Sequence, residues 1–437
     1  MISINSLRIV KSDEINENNL SEFVHRNFLQ IESIRESVAN IIAEVKKRGD
    51  KAIVDLTKKF DGVELNESEI KVTKEEISDA YKLIDKTLLN ALQYAKKNLI
   101  KFQQAQIRKE WKLKIEKGVS AGQIYRPLEK IGIYIPGGKA IYPSTVLMTA
   151  APAYVAGVKD IIICSPPQSN KKIAPEIIVA ASEFNINNIY KIGGAQAIAA
   201  MALGTNIIPK VQKIVGPGNK WVNAAKQMLS NIVAIDTPAG PSEVLIIADN
   251  SCDHTLVILD LLSQIEHDSD NIGIIVSTSI NLIEDIMNTI KAYVEKSERK
   301  DIIKNALKNN TLIIEAKDIE DCIRISNLIA PEHLEIMVKN PKNIIPKILN
   351  AGAIFIGPNT PVALGDYSAG TNHVLPTGGN AAKYSGLNLY DFLKIIEVLE
   401  CDLEGLKTLS KSSSIIADFE GLSAHKKSIE KRLENKN

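Results

Sequence analysis

From Ile131 onward the chain alternates short apolar runs, rich in β-branched residues, with longer segments of helical spacing. Strands of this kind suit a parallel sheet, because crossover helices bury both of its faces. The first series is GIYI (132–135), DIIIC (160–164), NIYKI (188–192) and KIV (213–215). The second is EVLIIAD (243–249), GIIVSTS (273–279), TLIIEA (311–316), LEIMV (334–338) and AGAIFIG (351–357). The sequence therefore predicts an α/β fold with two doubly wound, Rossmann-like parallel-sheet domains.

The two ends of the chain depart from this alternation. Apolar residues at helical spacing from Ile31 to Val45 predict one long helix. The capping box Thr73-x-x-Glu76 predicts the start of a second, continuing to about Arg108. We expect four parts: an N-terminal helical segment (1–30), a first α/β domain (31–131 plus 238–377) carrying metal and substrate residues, an inserted NAD-binding α/β domain (132–237), and a small helical C-terminal appendage (378–437).

Charge and composition indicate a small-molecule partner. The 437 residues are 45% hydrophobic and 24% charged, with a net charge of +1. Basic and acidic residues are interleaved, whereas nucleic-acid-binding proteins gather a basic excess on one face. The longest uncharged stretch, 140–158, contains two prolines and polar residues, and so suits a buried helix better than a membrane span. No apolar core of signal-peptide length begins the chain, so we expect a cytoplasmic protein without nucleic-acid or membrane partners.

The four cysteines are far apart and form no C-x-x-C pair. This spacing argues against a disulfide framework and a cysteine-rich metal site. Cys164 ends an apolar run, and we expect it to be a core thiol rather than a nucleophile.

Glycine-bearing turns follow several runs of the first series. In doubly wound folds ligands bind at the carboxyl ends of the strands, where such turns lie. Neither G-x-G-x-x-G nor G-x-x-x-x-G-K-[ST] is present, however. A nucleotide site and simple tight turns both remain open.

Side chains suited to metal binding and acid–base chemistry gather between residues 264 and 425. They are Gln264 with His267, Glu332 with His333, Asp366 with His373, and Glu420 with His425. Neutral imidazole and carboxylate are the usual Zn²⁺ ligands where cysteine is absent, although glutamine is an uncommon one. The i, i+3 spacing predicts that the first pair shares one helix face, and the segment 366–373 contains too much glycine for regular structure.

Each of these residues also has a purely structural interpretation. His267 could complement a helix dipole, and Asp366 could cap a turn. Glu332 and His425 could be solvated surface residues. Together they favour a functional site, because long polar, glycine-rich segments are costly to order.

Eight motifs from about residue 130 to the C-terminus resemble, in order, those of the histidinol dehydrogenase family. They are GIYIPGGKAIYPSTVLM, GGAQAIAAMALGT, GPGNKWV, DTPAGPSEVLIIAD, LLSQIEHDSD, APEHLEI, GDYSAGTNHVLPTGG and LSAHK.

The resemblance implies an NAD⁺-dependent, zinc-requiring homodimer that oxidises L-histidinol through the aldehyde to L-histidine, the final steps of histidine biosynthesis. It assigns His333 as the base and Glu332 as the activator of water. It implies Zn²⁺ ligands at Gln264, His267, Asp366 and His425, the last reaching the partner subunit's site, and NAD⁺ contacts at Tyr134, Gln196 and Asn219. The implied substrate-binding residues are Ser242, Gln264, His267, Glu332, His333, Asp366, His373, Glu420 and His425.

Three other functions remain open. A zinc hydrolase could use the same ligands with Glu332 as base. A related dehydrogenase could act on a different small alcohol. A non-catalytic nucleotide-binding regulator would leave the histidines and acids without a role.

Overall fold

The computed structural model describes residues 7–16, 18, 32–137, 141–237 and 240–434. In chain order its strands are β1 (Arg8–Lys11), β2 (Trp111–Glu116), β3 (Val119–Pro127), β4 (Lys130–Tyr134), β5 (Asp160–Ser165), β6 (Asn188–Lys191), β7 (Lys213–Val215), β8 (Ala234–Ile235), β9 (Glu243–Ala248), β10 (Ile272–Ser277), β11 (Thr311–Glu315), β12 (His333–Met337), β13 (Ala353–Ile356) and β14 (Leu393–Cys401).

The α-helices are α1 (Arg35–Arg48), α2 (Asp50–Asp61), α3 (Lys74–Leu83), α4 (Lys86–Gln104), α5 (Pro143–Ala156), α6 (Pro175–Ser182), α7 (Gly194–Leu203), α8 (Lys220–Leu229), α9 (His254–Ile265), α10 (Ile280–Lys296), α11 (Lys300–Asn310), α12 (Ile319–Ile329), α13 (Val362–Tyr367), α14 (Leu403–Phe419) and α15 (Ser423–Glu434). The chain forms two compact units, one of Met1–Ala105 with Glu129–Asp391 and one of Gln106–Leu128 with Phe392–Asn437.

The first unit contains the two predicted parallel sheets. One has six strands in the order β1-β11-β10-β9-β12-β13, and the other has five in the order β6-β5-β4-β7-β8. All nine predicted apolar runs form strands of these sheets, so the predicted fold class is confirmed.

Helices cover both faces of the six-stranded sheet. Along β9, Val244 and Ile246 enter one hydrophobic core, which contains residues of α9, α10 and α11. Leu245 and Ile247 enter a second core, which contains residues of α12. Because successive side chains of a strand point to opposite faces, a run of consecutive apolar residues is what burial on both sides requires.

The five-stranded sheet is packed against the N-terminal helices. Val38 of α1 and Ile53 of α2 belong to the same core as Ile162 of β5 and residues of α7 and α8. The predicted domain boundaries instead placed residues 31–131 in one domain with the strands of the six-stranded sheet. Helical periodicity shows that a helix has a buried face, but not which sheet covers that face.

Local features of the N-terminal region also differ from the prediction. The capping box of Thr73 and Glu76 is present, but the helix ends at Leu83, and Asp85 caps a separate helix, α4. Of the predicted N-terminal helical segment, Arg8–Lys11 forms an edge strand that pairs with β11. Residues 1–6, 17 and 19–30 of that segment lie outside the described residues.

The second unit combines the predicted C-terminal helices with a sheet that the sequence analysis missed. Its antiparallel strands lie in the order β14-β3-β2, followed along the chain by α14 and α15. Every residue of β2 is exposed, and so is nearly all of β14. An exposed strand lacks the apolar pattern by which buried strands are detected. Within the described residues, no helix is both long and apolar enough to span a membrane.

Candidate active site

The central pair of the site is Glu332–His333, at the amino end of β12. His333 is the first residue of that strand, opposite Val244 of β9. Ala330 ends α12 in the left-handed conformation, with φ 52°, and so turns the chain toward the sheet. Both side chains are buried, with 5% of Glu332 and 4% of His333 exposed. The pair therefore lies where the chain passes from α12 into β12.

Both side chains are held by the backbone of Glu243, the first residue of β9. The N–H of Glu243 donates to Oε2 of Glu332 at 2.8 Å. The carbonyl oxygen of Glu243 lies 3.1 Å from Nδ1 of His333. Because a carbonyl only accepts, Nδ1 is the ring atom that carries a proton in this hydrogen bond.

The other ring nitrogen of His333 faces Asp366. Nε2 lies 3.6 Å from Oδ1 of Asp366, too far for a hydrogen bond, and has no hydrogen-bond partner among the described residues. In a neutral imidazole whose proton is on Nδ1, Nε2 carries the lone pair. The geometry therefore presents one basic nitrogen beside a carboxylate.

Opposing effects determine the charges of His333 and Asp366. Burial lowers the pKa of His333, but the charge of Glu332 and interactions with Asp366 outweigh it and raise that pKa to about 10. Burial raises the pKa of Asp366, but the imidazoles of His333, His373 and His267 outweigh it and lower that pKa overall. The site therefore stabilises positive charge next to Asp366.

His373 links the two sheets of the first unit. Its Nδ1 lies 2.9 Å from the carbonyl oxygen of Asp366, and its Nε2 lies 3.4 Å from Oγ1 of Thr145 on α5. The neighbouring Asn372 donates to the carbonyl oxygen of Met148 on the same helix, at 2.7 Å. Burial lowers the pKa of His373. Since α5 follows β4, these bonds hold the start of this helix against the histidine and acid cluster.

The structure corrects two local predictions about the pairs. Helix α9 ends at Ile265, so Gln264 lies in its last turn and His267 in the bend beyond it, not on one helix face. Asp366 lies in the last turn of the short helix α13, whereas the rest of the predicted irregular segment, 368–373, contains no helix or strand. Buried Gln264 is next to the helix carbonyls, whose partial negative charge favours a cation nearby.

Two residues of the site, Glu243 and Asn271, were not predicted from the sequence. Burial and the charge of Glu332 raise the pKa of Glu243 to about 8, and its Oε1 accepts the N–H of Gly378 at 2.8 Å. Asn271 accepts the N–H of Ser242 at 3.1 Å and donates to the carbonyl oxygen of Gln264 at 2.7 Å. The sequence signal for Glu243 was its position as a charged residue at the start of an apolar strand. Asn271 depends on tertiary contacts that no local pattern shows.

The predicted cofactor residues lie at the carboxyl end of the five-stranded sheet. The hydroxyl of Tyr134, at the end of β4, accepts the N–H of Gly194 at 3.1 Å, and burial raises its pKa to about 12. Gln196 is buried, and its Nε2 has no hydrogen-bond partner among the described residues. The side chain of Asn219 caps α8.

The turns after β4 and β6 converge on Pro166. A Cβ atom on Gly137 would lie 2.5 Å from Cγ of Pro166, and one on Gly193 would lie 2.6 Å from its Cβ. Only glycine permits such close approach. Residues 138–140 of the same motif lie outside the described residues.

Glu420 and His425 belong to the second unit. Glu420 is the C-cap residue of α14, and His425 lies in the first turn of α15. Both are exposed. Ser423 begins α15.

The donor chemistry of the first unit suits a divalent cation. The imidazoles of His333, His373 and His267 act on the Asp366 carboxylate, and imidazole and carboxylate are the usual Zn²⁺ ligands where cysteine is absent. Within the described residues, however, no three histidine, cysteine or acidic side chains converge closely enough to form a metal site.

The predicted character of Cys164 is confirmed. Its side chain is buried in the core of the five-stranded sheet, and burial raises the pKa of its thiol. Such a thiol is a poor nucleophile.

Comparisons with known proteins give one consistent result. The histidinol dehydrogenase family model matches residues 24–433. The histidinol dehydrogenase of Methanocaldococcus jannaschii is 45% identical over 431 residues, which cover 98% of this chain and all of the relative. That of Bacillus thuringiensis is 44% identical over 402 residues, covering 92% and 93%. The crystal structure of histidinol dehydrogenase from Elizabethkingia anophelis superposes with a TM-score of 0.90, at 41% identity and with 92% of each chain covered.

Proposed function

This chain belongs to the histidinol dehydrogenase family, and from that premise we propose that it oxidises L-histidinol through L-histidinal to L-histidine with two NAD⁺. The observation that carries the proposal is the buried Glu332–His333 pair, in which Nε2 of His333 faces Asp366 and has no hydrogen-bond partner within the described part of the chain. The reaction completes histidine biosynthesis, and we place it in the cytoplasm.

His333 is the proposed base for the alcohol step. Its bond to the carbonyl oxygen of Glu243 fixes the ring so that Nε2 can accept the substrate hydroxyl proton. For this the imidazole must be neutral, and the surrounding carboxylates raise its pKa. A cation at Asp366 opposes that effect.

Glu332 is the proposed activator of water for the aldehyde step. One carboxylate oxygen is held by the N–H of Glu243, which leaves the other to accept a proton from water. Water adds to the aldehyde carbon as its proton passes to Glu332, and bound NAD⁺ would accept hydride from the resulting hydrate. Keeping both steps in one buried site protects the reactive aldehyde.

Gln264, His267 and Asp366 are the proposed Zn²⁺ ligands of this chain, with His425 of the partner subunit completing the set. Bound Zn²⁺ would supply a Lewis acid that orients the imidazole and amino nitrogens of the substrate. Ser242, His373 and Glu420 are the proposed further contacts to substrate, in addition to the ligands and the catalytic pair.

Tyr134, Gln196 and Asn219 are the proposed NAD⁺ contacts. Bound NAD⁺ would supply the hydride acceptor. The support is structural: these residues lie next to glycine turns at the carboxyl ends of parallel strands, where dinucleotides bind in such sheets.

NADH formation from L-histidinol tests the proposal. We expect about two NADH per substrate, because an alcohol becomes an acid by two hydride transfers. A zinc hydrolase or a nucleotide-binding regulator would produce none. NADH from another alcohol, but not from L-histidinol, would favour the related dehydrogenase.

Mixing inactive variants tests the proposed homodimer with a shared site. His333→Asn and His425→Ala lie in different units of the chain, so a mixed dimer would retain one intact site of its two. Random mixing should then restore about a quarter of wild-type activity, since half the dimers are mixed. A mixture of His333→Asn and Glu332→Gln is the control and should restore nothing. Equal activity in both mixtures would contradict a shared site.

A further inference from the structure

One carboxylate lies beside the proposed cofactor turns although it belongs to none of the eight sequence motifs. Asp61 is the last residue of α2, followed by the left-handed C-cap Gly62. Its Oδ1 lies 3.3 Å from the position of a Cβ atom built on Gly193, and its charge contributes to the raised pKa of Tyr134. Asp61 therefore lies beside the turn between β6 and α7.

The direction of α2 explains this placement. Its first residue, Asp50, accepts the N–H of Ile207, beyond the carboxyl end of α7, at 3.4 Å. Its last residue is next to the amino end of α7. The two helices therefore run antiparallel, and α2 ends at the carboxyl edge of the five-stranded sheet.

The Asp61 carboxyl group is costly to hold in this position. Its Oδ2 is buried and has no hydrogen-bond partner among the described residues, and neither does Oγ1 of Thr57, one turn earlier on the same helix face. Burial raises the pKa of Asp61 to about 6, and none of the described basic groups offsets this effect. A hydrogen-bond donor on a bound ligand would satisfy a carboxyl group held in this way.

Sheet order indicates which donor this would be. The order β6-β5-β4-β7-β8 is that of a dinucleotide-binding sheet, in which an acidic residue near the second strand holds the adenosine ribose. Here the second strand is β5, and it continues into Ser165-Pro166-Pro167 with no acid. Asp61 lies against the same Pro166 turn through Gly193.

We propose that Asp61 accepts hydrogen bonds from the adenosine ribose hydroxyls of the dinucleotide and thereby selects NAD⁺ over NADP⁺. This inference rests on the proposed function. The carboxylate and the carboxyl end of α2 are both negative, so they favour a neutral diol and repel a 2′-phosphate.

The test is direct binding of NADH and NADPH, followed by ligand fluorescence, to wild-type protein and to Asp61→Asn. We expect NADH affinity to fall roughly ten- to a hundredfold, as for loss of a charged hydrogen bond, while NADPH affinity stays the same or rises. Asp61→Ser provides a second variant if the first folds poorly. Asp55→Asn is the matched control, because exposed Asp55 of the same helix pairs with Arg48 instead.

The outcomes are separable. Unchanged NADH affinity in both Asp61 variants, or an equal loss for NADH and NADPH, would overturn the assignment of Asp61 alone. Failure of wild-type protein to bind either nucleotide would overturn the proposed cofactor, and the role of Asp61 with it.

Discussion

Replacing His333 by asparagine separates its structural contact from its proposed chemistry. The asparagine amide occupies the position of Nδ1 and can still donate to the carbonyl oxygen of Glu243, which His333 contacts at 3.1 Å. It has no atom in place of Nε2, the nitrogen beside Asp366. The variant should therefore fold while lacking the base.

The expected loss follows from that missing nitrogen. General base catalysis contributes about 10²–10⁴-fold, equivalent to roughly 3–5 kcal/mol of transition-state stabilisation. Single-turnover NADH formation from L-histidinol measures the alcohol step, and supplied L-histidinal measures the aldehyde step. Only the first should fall by the full factor in His333→Asn.

Glu332→Gln is the matched comparison. Glutamine can still accept the N–H of Glu243, but it cannot activate water, so oxidation of L-histidinal should slow more than the alcohol step. The charge of Glu332 raises the pKa of His333, so removing that charge lowers this pKa. His333 is then neutral at lower pH, and the alcohol step should reach its plateau at lower pH than in wild type. Near-normal rates in both variants would refute the assignment of base and water activator.

Three further predictions concern the metal and the packing around the site. Removing metal with a chelator should abolish activity and Zn²⁺ should restore it, whereas a chelator-insensitive enzyme would contradict the metal ligands. Asn271→Ala leaves the N–H of Ser242 and the carbonyl of Gln264 without their partner, and should lower the free energy of unfolding by about 2–3 kcal/mol in urea titrations. A loss below about 0.5 kcal/mol would show that water replaces these bonds. The folded-state pKa of Asp61 is raised to about 6, so ionisation of this carboxyl group lowers the stability of the fold as pH rises from about 4 to 6. Because Asp61 is partly exposed, solvent reduces this effect. The Asp61→Asn variant should therefore be more stable than wild type by about 1–2 kcal/mol at pH 7 and equally stable below pH 4.

The parallel sheets could be predicted from the sequence, and so could the residues that cap helices and form the turns between elements. Consecutive apolar residues such as Val244 and Leu245 belong to two cores at once, and only a strand covered on both faces needs that pattern. The capping box of Thr73 is equally local, because its partner is three residues away. Features of this kind follow from short-range spacing.

Contacts between residues far apart in the chain depend instead on how the elements pack. The amino ends of β9 and β12 lie side by side, so Glu243 holds both Glu332 and His333 from a position 89 and 90 residues distant. The acidic end of α2 reaches the turn at Gly193, although the helical pattern of α2 gives no sign of which sheet it covers. Hydrophobic periodicity reports burial of a face, whereas the neighbour that buries it is chosen by packing across the whole unit. For that reason the histidines and acids could be found from the sequence. The contacts of Glu243 with Glu332 and His333 could not, and neither could the placement of Asp61.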